Sequence, residues 1–309
     1  MKRYLMQRLL MMIPLMLMIS FIAFFMLNLV PSDPAEVALR VSNIVPTDEA
    51  IALMRHELGL DKPFLLRYLS WLWQVLHLDF GQSFVLRTPV LGELAAALPA
   101  TLYLAFVTFV ISLVCAFSLA LICLMTKTPW IDQLVRGVIF LLMALPNYWL
   151  ALLFIWFFAV QLDLFPVSGL QESGAVFLPA ITLSLSYIGL YLRLIRGAML
   201  TQMQQPYVFY AKARGLSSWQ IIRRHVLRNA LPTTLVSIGM SIPALIAGTV
   251  VIENIFAWPG IGRLCISAIM GRDLPMIQAY ILLIALLFLV FNCLIDLLQM
   301  KLDPRLRHH

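Results

Sequence analysis

The chain has 309 residues, of which 62% are hydrophobic and 12% charged, with a net charge of +7. A charged fraction roughly half the ~25% of an average soluble domain excludes an ordinary water-soluble globule and selects a polytopic membrane protein. The positive excess gathers between apolar runs, which fits membrane orientation rather than nucleic-acid binding.

A membrane span needs about 20 apolar residues to cross a ~30 Å core. Six runs qualify, at about 9–30, 99–125, 135–160, 176–192, 231–256 and 276–300, and they predict an all-α chain of six transmembrane helices. The first is longer than the ~7–15 residues of a signal-peptide core and ends in Val30-Pro31-Ser32 with no small-x-small site, so it is expected to be retained. Residues 31–96 are too long for a plain connector and predict a structured outer loop. Within it, Thr47 is an N-cap, Asp48 and Glu49 suit a first turn, and Gly59 suits a C-terminal stop. Leu66 to Leu78 predicts a second short helix, with Trp71 and Trp73 at the membrane interface. Pro146 and Asn147 interrupt the third run, and the fourth carries Thr182, Ser184, Ser186, Tyr187 and Tyr191.

Between the fourth and fifth runs lie Arg193, Arg196, Lys212, Arg214, Arg223, Arg224 and Arg228 without one Asp or Glu, the mark of a cytoplasmic segment. Pro206 suits the first turn of a helix and Gly215 its end. Ser217 and Gln220 form a capping box for a second helix, with Leu216 and Ile221 at the staple positions. Trp219, Ile222 and Val226 recur at helical spacing while the arginines take other faces. The prediction is two short helices around a Gly turn, lying along the membrane. Such a hairpin either rests on anionic headgroups or serves as a lever moved by a soluble partner.

In the fifth run, Ala244 and Gly248 permit close helix approach and Pro243 a kink, either within one subunit or at a seam between subunits. Asn147, Ser184, Ser186 and Tyr187 are candidate pathway-lining groups, though each could instead bond a neighbouring helix. Glu253, near the outer end of the fifth run, is either an interfacial carboxylate or part of an outer gate. Lys2, Arg3 and Arg8 hold the N-terminus inside, and six spans return the C-terminus to the same side. Of the 22 Lys and Arg, 15 then face the cytoplasm, whereas 12 of the 15 Asp and Glu face outward. Cys115, Cys123, Cys265 and Cys293 form no CxxC pair and read as packing residues. No GxxxxGK[ST], HExxH or GxSxG sequence occurs, so the chain is not expected to be an enzyme by itself.

The stretch Ala211-Lys-Ala-Arg-Gly215, followed by His225-Val-Leu-Arg-Asn-Ala-Leu-Pro232, resembles the coupling motif of binding-protein-dependent ABC importer permeases. It is most similar to the dipeptide, oligopeptide and nickel branch. Glu253-Asn-Ile-Phe-Ala-Trp-Pro-Gly-Ile-Gly262, Leu58-Gly-Leu-Asp-Lys-Pro63 and Leu302-Asp-Pro-Arg305 match that branch as well. The broader motif begins Glu-Ala-Ala, whereas Phe209 and Tyr210 stand before Ala211 here. The resemblance implies a first helix with a periplasmic loop over 1–96, a type I importer transmembrane domain over 97–300 and a cytoplasmic tail over 301–309. It places coupling helices at about 203–228, with Ala211, Ala213, Arg214, Gly215, Arg223, Arg224, Arg228 and Asn229 as ATPase-coupling residues. Ala211 would allow close approach to the ATPase, Gly215 would make the turn, and the arginines would supply charge contacts.

The implied partners are a second homologous permease, two ABC ATPase subunits, a periplasmic or lipid-anchored solute-binding protein and membrane lipid, with no nucleic acid. The chain itself would bind no cofactor, ATP and Mg belonging to the ATPases. The implied location is the bacterial cytoplasmic (inner) membrane. Leu145-Pro-Asn-Tyr-Trp-Leu150, His77-Leu-Asp-Phe-Gly81 and Arg272-Asp-Leu-Pro-Met-Ile-Gln278 are similar to the nickel and opine-metallophore members. The expected cargo is therefore nickel or another transition metal, as a metallophore chelate, with di- or oligopeptides as the alternative. No metal ligand is assigned in this chain, since His56, His77 and the 16 methionines show no ligand spacing. An ATP-independent channel or secondary carrier is the alternative of another class, disfavoured by the scarcity of ionisable groups deep in the spans.

Overall fold

The structure, a computed structural model, describes residues 2–29, 33–41, 44–126, 128–170, 172 and 174–302. The expectations placed on Lys127, on the side chains of Lys2 and Arg3, on Val30-Pro31-Ser32 and on the tail from Asp303 onward lie outside the described residues. Among the described residues the chain is all-α apart from one antiparallel bridge, Gln82 to Pro89. Among the described residues five helices are long and apolar enough to cross a membrane, or six if a helix pair bent by 99° is taken as one span. Contacts gather the chain into two units, one of residues 6–100 and 259–289, the other built mainly of 101–258 and the residues from 290 onward.

In the first unit, α1 (Lys2–Asn28) meets α4 (Phe64–Leu76) through aromatic rings. Trp71 lies on Phe24, Tyr68 lies on Phe21, and the Tyr68 hydroxyl shares a 2.9 Å hydrogen bond with Ser20. Trp71 is thus a packing residue, while Trp73 stays 66% exposed as an interfacial residue would. α3 (Asp48–Glu57) is capped as predicted: the Thr47 hydroxyl accepts from the Ala50 amide, and Gly59 adopts φ +65°. A further short helix, α2 (Pro34–Val41), is capped by Asp33 and was not predicted. α5 (Val90–Met125) begins well before Pro99, which lies inside it. Proline removes one helical hydrogen bond, but Val90, Leu94 and Ala97 pack with Ile261 and Ala268 of α13 (Ile261–Met270) and Met276 of α14 (Leu274–Leu302). That packing carries the helix through the proline.

In the second unit, α6 (Pro129–Ala144) and α7 (Asn147–Phe154) form the bent pair, at 99° to one another. The cause is Pro146, which lacks an N–H and forces Leu145 into extended backbone at φ −81°, ψ 137°. A π-helical turn, Ile155–Gln161, follows α7. α8 (Phe177–Met203) runs 11 residues past the predicted end at 192. Hydropathy falls there because Arg193 and Arg196 appear, yet Ile195 and Met199 keep the helical spacing and remain buried. Arg196 makes a bidentate ion pair with Asp132 of α6 at 2.9 and 2.8 Å.

α8 meets α6 at Gly189. A Cβ there would overlap Met143 Sδ and come within 2.8 Å of Ile139 Cγ2. Gly189→Val is expected to lower stability by about 1–3 kcal/mol through overpacking. Thermal unfolding of the detergent-solubilised chain measures this, and an unchanged midpoint would show that the two helices separate without cost. All four cysteines are free; burial pushes the Cys265 thiol in α13 up to about 11.

Candidate functional site

The elbow after α8 is built from local rules. α9 (Pro206–Ala213) starts at a proline, as its missing N–H allows. It ends in a Schellman motif: the Gly215 amide donates to Lys212 O at 2.9 Å, the Leu216 amide donates to Ala211 O at 3.2 Å, and Gly215 sits at φ +79°. Ser217 then caps α10 (Ser218–Ile221) with the predicted box: its hydroxyl accepts from the Gln220 amide, and its own amide donates to Gln220 Oε1.

Two expectations about the elbow change. The second helix does not stop near Arg228 as a short coupling helix; it passes through a π-helical turn, Ile222–Val226, into α11 (Leu227–Gly239) and so into the fifth span. Ala211 is turned inward at 5% exposure, packed among Val208, Ile221, Ile222 and Val226. Its small side chain therefore serves the elbow's own core rather than a partner's approach, and Ala213 is the exposed small residue. Trp219, in the first turn of α10, is exposed rather than part of the apolar face, and Ile221 and Ile222 take the buried side. The outward surface consists of Phe209 and Tyr210, at 71% and 66% exposure, with Lys212, Arg214, Arg223, Arg224, Arg228 and Asn229. It is aromatic and basic, with no acid.

α12 (Ile242–Ile255) continues the fifth span after a short break at Met240 and Ser241, just before Pro243. The Tyr191 hydroxyl of α8 shares a 2.7 Å hydrogen bond with Ser241 at that break. Gly248 faces α8, where a Cβ would lie 3.5 Å from Tyr187 Oη. Its closeness is therefore spent within the chain. Ala244, by contrast, belongs to an exposed stripe with Met240, Ala247, Val251 and Asn254, spaced three and four apart.

Of the pathway candidates, Asn147 and Ser186 are brought together: the Ser186 hydroxyl donates to Asn147 Oδ1 at 2.7 Å, beside the Pro146 bend. Pro243 and Ser184 are buried, and the Ser184 hydroxyl donates to Ile181 O at 2.8 Å. Glu253 is fully buried, which overturns its reading as a carboxylate reaching headgroup water. It accepts from the hydroxyls of Thr101 at 2.6 Å and Thr249 at 2.9 Å, donors that make burial of a carboxylate tolerable.

Sequence reasoning missed Asp273, a carboxylate 1% exposed just before α14. It accepts from the Ser83 hydroxyl, from the amides of Phe84 at 3.2 Å and Val85 at 3.4 Å, and from the Met276 amide at 3.4 Å. The last is an N-cap bond, the one part visible in the local sequence. Among the described residues no three His, Cys, Asp or Glu side chains are grouped to hold a metal ion.

The family model described as a binding-protein-dependent transport system inner membrane component matches residues 112–308, and the N-terminal model of the same systems matches residues 1–105. The metal-staphylopine import system permease protein CntB of Staphylococcus aureus is 37% identical over 99% of this chain and 98% of its own length. A Brucella abortus protein named for a peptide transport system is 36% identical over 96% of each chain. The glutathione transport system permease protein GsiC of Salmonella paratyphi A is 30% identical over 100% of both. Among solved structures, the inward-facing MetNI methionine ABC transporter matches 68% of this chain and 96% of its own at a TM-score of 0.59 and 18% identity. That last likeness is one of fold.

Proposed function

We propose that this chain, which belongs to the family of inner-membrane components of binding-protein-dependent transport systems, forms one half of the membrane pathway of an ATP-driven importer. Its other half is a second homologous permease, facing the exposed stripe of α12. Two ATPase subunits, which bind the ATP and Mg, grip the elbow through Phe209, Tyr210, Ala213, Arg214, Arg223, Arg224, Arg228 and Asn229. Gly215 sets the turn that presents this surface. A periplasmic or lipid-anchored binding protein delivers cargo from the other side, where the loop after α1 lies. The charge asymmetry between the loops supports cytoplasmic termini and a cytoplasmic elbow.

The observation that carries this reading is the match of both family segments across the chain, joined with a Schellman-capped, boxed elbow whose outer surface has no packing role in the chain itself. Asn147, Ser186 and Tyr187 would line the pathway beside the Pro146 bend. Glu253, buried and hydrogen-bonded to Thr101 and Thr249, would instead hold the outer end of α12 to α5.

For cargo we favour a transition metal, nickel among them, carried as a metallophore chelate, because the relative named for metal-staphylopine import aligns with 99% of the chain. The relatives named for peptide and glutathione transport favour peptides as the second reading. Deleting the gene and measuring cellular nickel, cobalt and zinc beside growth on dipeptides separates them. Lowered metal with normal dipeptide growth is the expected result, and the reverse would move the assignment to peptides.

A further inference from the structure

One cavity is used by none of the roles above. It measures about 720 Å3 and lies within the first unit, between the end of α1, the loop and helices α3 and α4, and the first turn of α14. Its size is that of a small-molecule site. Asp33, Glu57 and Asp61 line it together with Arg55, Lys62 and Arg67, so acidic and basic groups are balanced.

The two arginines differ. Arg55 is neutralised within the chain, donating to Asp33 Oδ2 at 2.8 Å. Arg67 has no carboxylate: its Nη2 donates to the amide oxygen of Asn28 at 2.7 Å, and among the described residues no Asp or Glu pairs with it. It is partly buried, and loss of water lowers its pKa from the usual value. A guanidinium carries five N–H donors in a planar fork that fits a carboxylate, and one neutral acceptor leaves most of that capacity unused. Trp71, held by Phe24 at 5.3 Å between ring centroids, supplies an aromatic wall beside it.

We propose that this cavity binds an amino-acid-type zwitterion of up to tripeptide size, with its carboxylate on the Arg67 guanidinium and its ammonium toward Glu57 and Asp61. The balance of charges selects a zwitterion over a polyanion. Net attraction would fail for a ligand that leaves the acidic side unmatched. None of the residues assigned to the pathway lines it, and on this proposal it is a place where cargo or a cargo-like solute is held before or beside passage.

The test is equilibrium dialysis of labelled trialanine against the full chain in lipid nanodiscs, with the C-terminal amide of trialanine as the matched probe. Saturable millimolar or tighter binding of trialanine is expected, weakened about tenfold or more by R67Q, because a charge-assisted bidentate pair is lost. R67K, which keeps the charge without the fork, should fall between. Absence of trialanine binding, equal binding of the amide, or indifference to R67Q would each overturn the proposal. Should R67Q fail to reconstitute, the comparison of acid and amide on the unaltered chain decides alone. The measurement needs no nucleotide and no partner, so its failure leaves the importer reading untouched.

Discussion

Replacing Gly215 with valine is expected to abolish ATP-driven uptake while leaving the chain in the membrane. Nothing lies within 4 Å of a Cβ built at this position, so the effect is not a clash. It comes from the backbone, which sits at φ +79°. An L-residue pays about 1–2 kcal/mol in that region, and a β-branched one is a genuine outlier there. At about 2 kcal/mol the native turn is disfavoured roughly thirtyfold against other geometries. Both Schellman hydrogen bonds, Gly215 to Lys212 and Leu216 to Ala211, depend on that turn. Asparagine, which tolerates the left-handed region, should retain more uptake than alanine, and alanine more than valine. The measurement is uptake into proteoliposomes carrying the full complex. Equal transport by the valine variant would remove the hinge role.

Asp273→Ala is expected to give the largest loss of stability, about 3 kcal/mol. The carboxylate is 1% exposed and serves a hydroxyl and three amides drawn from two regions of the sequence. Each buried donor left without an acceptor costs ~1–3 kcal/mol. Two of the amide bonds, at 3.4 Å, are long and contribute little, so the loss should fall below the sum for four full bonds. Ser83→Ala removes only one donor and should cost ~1 kcal/mol. Thermal unfolding in detergent gives both values, and limited proteolysis across 83–89 reports release of the loop. An Asp273→Ala midpoint no lower than that of Ser83→Ala would mean the carboxylate is not what pins it.

Local chemistry was readable from the chain, and long-range partnership was not. The Thr47 cap, the Ser217 and Gln220 box, the Gly215 turn and the Pro146 interruption are each written within a few neighbouring residues, and each forms as expected. The helix boundaries missed at Val90 and Met203 are places where packing carries a helix past a proline or past a drop in hydropathy. Asp273 and Ser83 are 190 residues apart in sequence, and no local pattern joins them. Glu253 read as interfacial because a carboxylate near a span end usually is; its threonine partners, one of them on α5, were the missing information. Ala211 turns inward and Trp219 outward, because the apolar residues that decide those faces, Val208 with Ile221, Ile222 and Val226, meet across the Gly215 turn, and no pattern within either short helix shows that meeting.

The unbroken run from Ser218 to Gly239 has a mechanical consequence. At a rise of ~1.5 Å per residue it is a rod of about 33 Å, which in the proposed importer would be driven at one end and embedded at the other. A crank of this kind has little slack. Torque applied at Ser218 must reappear at Met240 unless it is absorbed in the one stretch of looser winding, Ile222–Val226. Tightening that stretch would stiffen the shaft and loosening it would decouple the two ends, so in the proposed importer its compliance would set how much of each stroke arrives in mid-membrane.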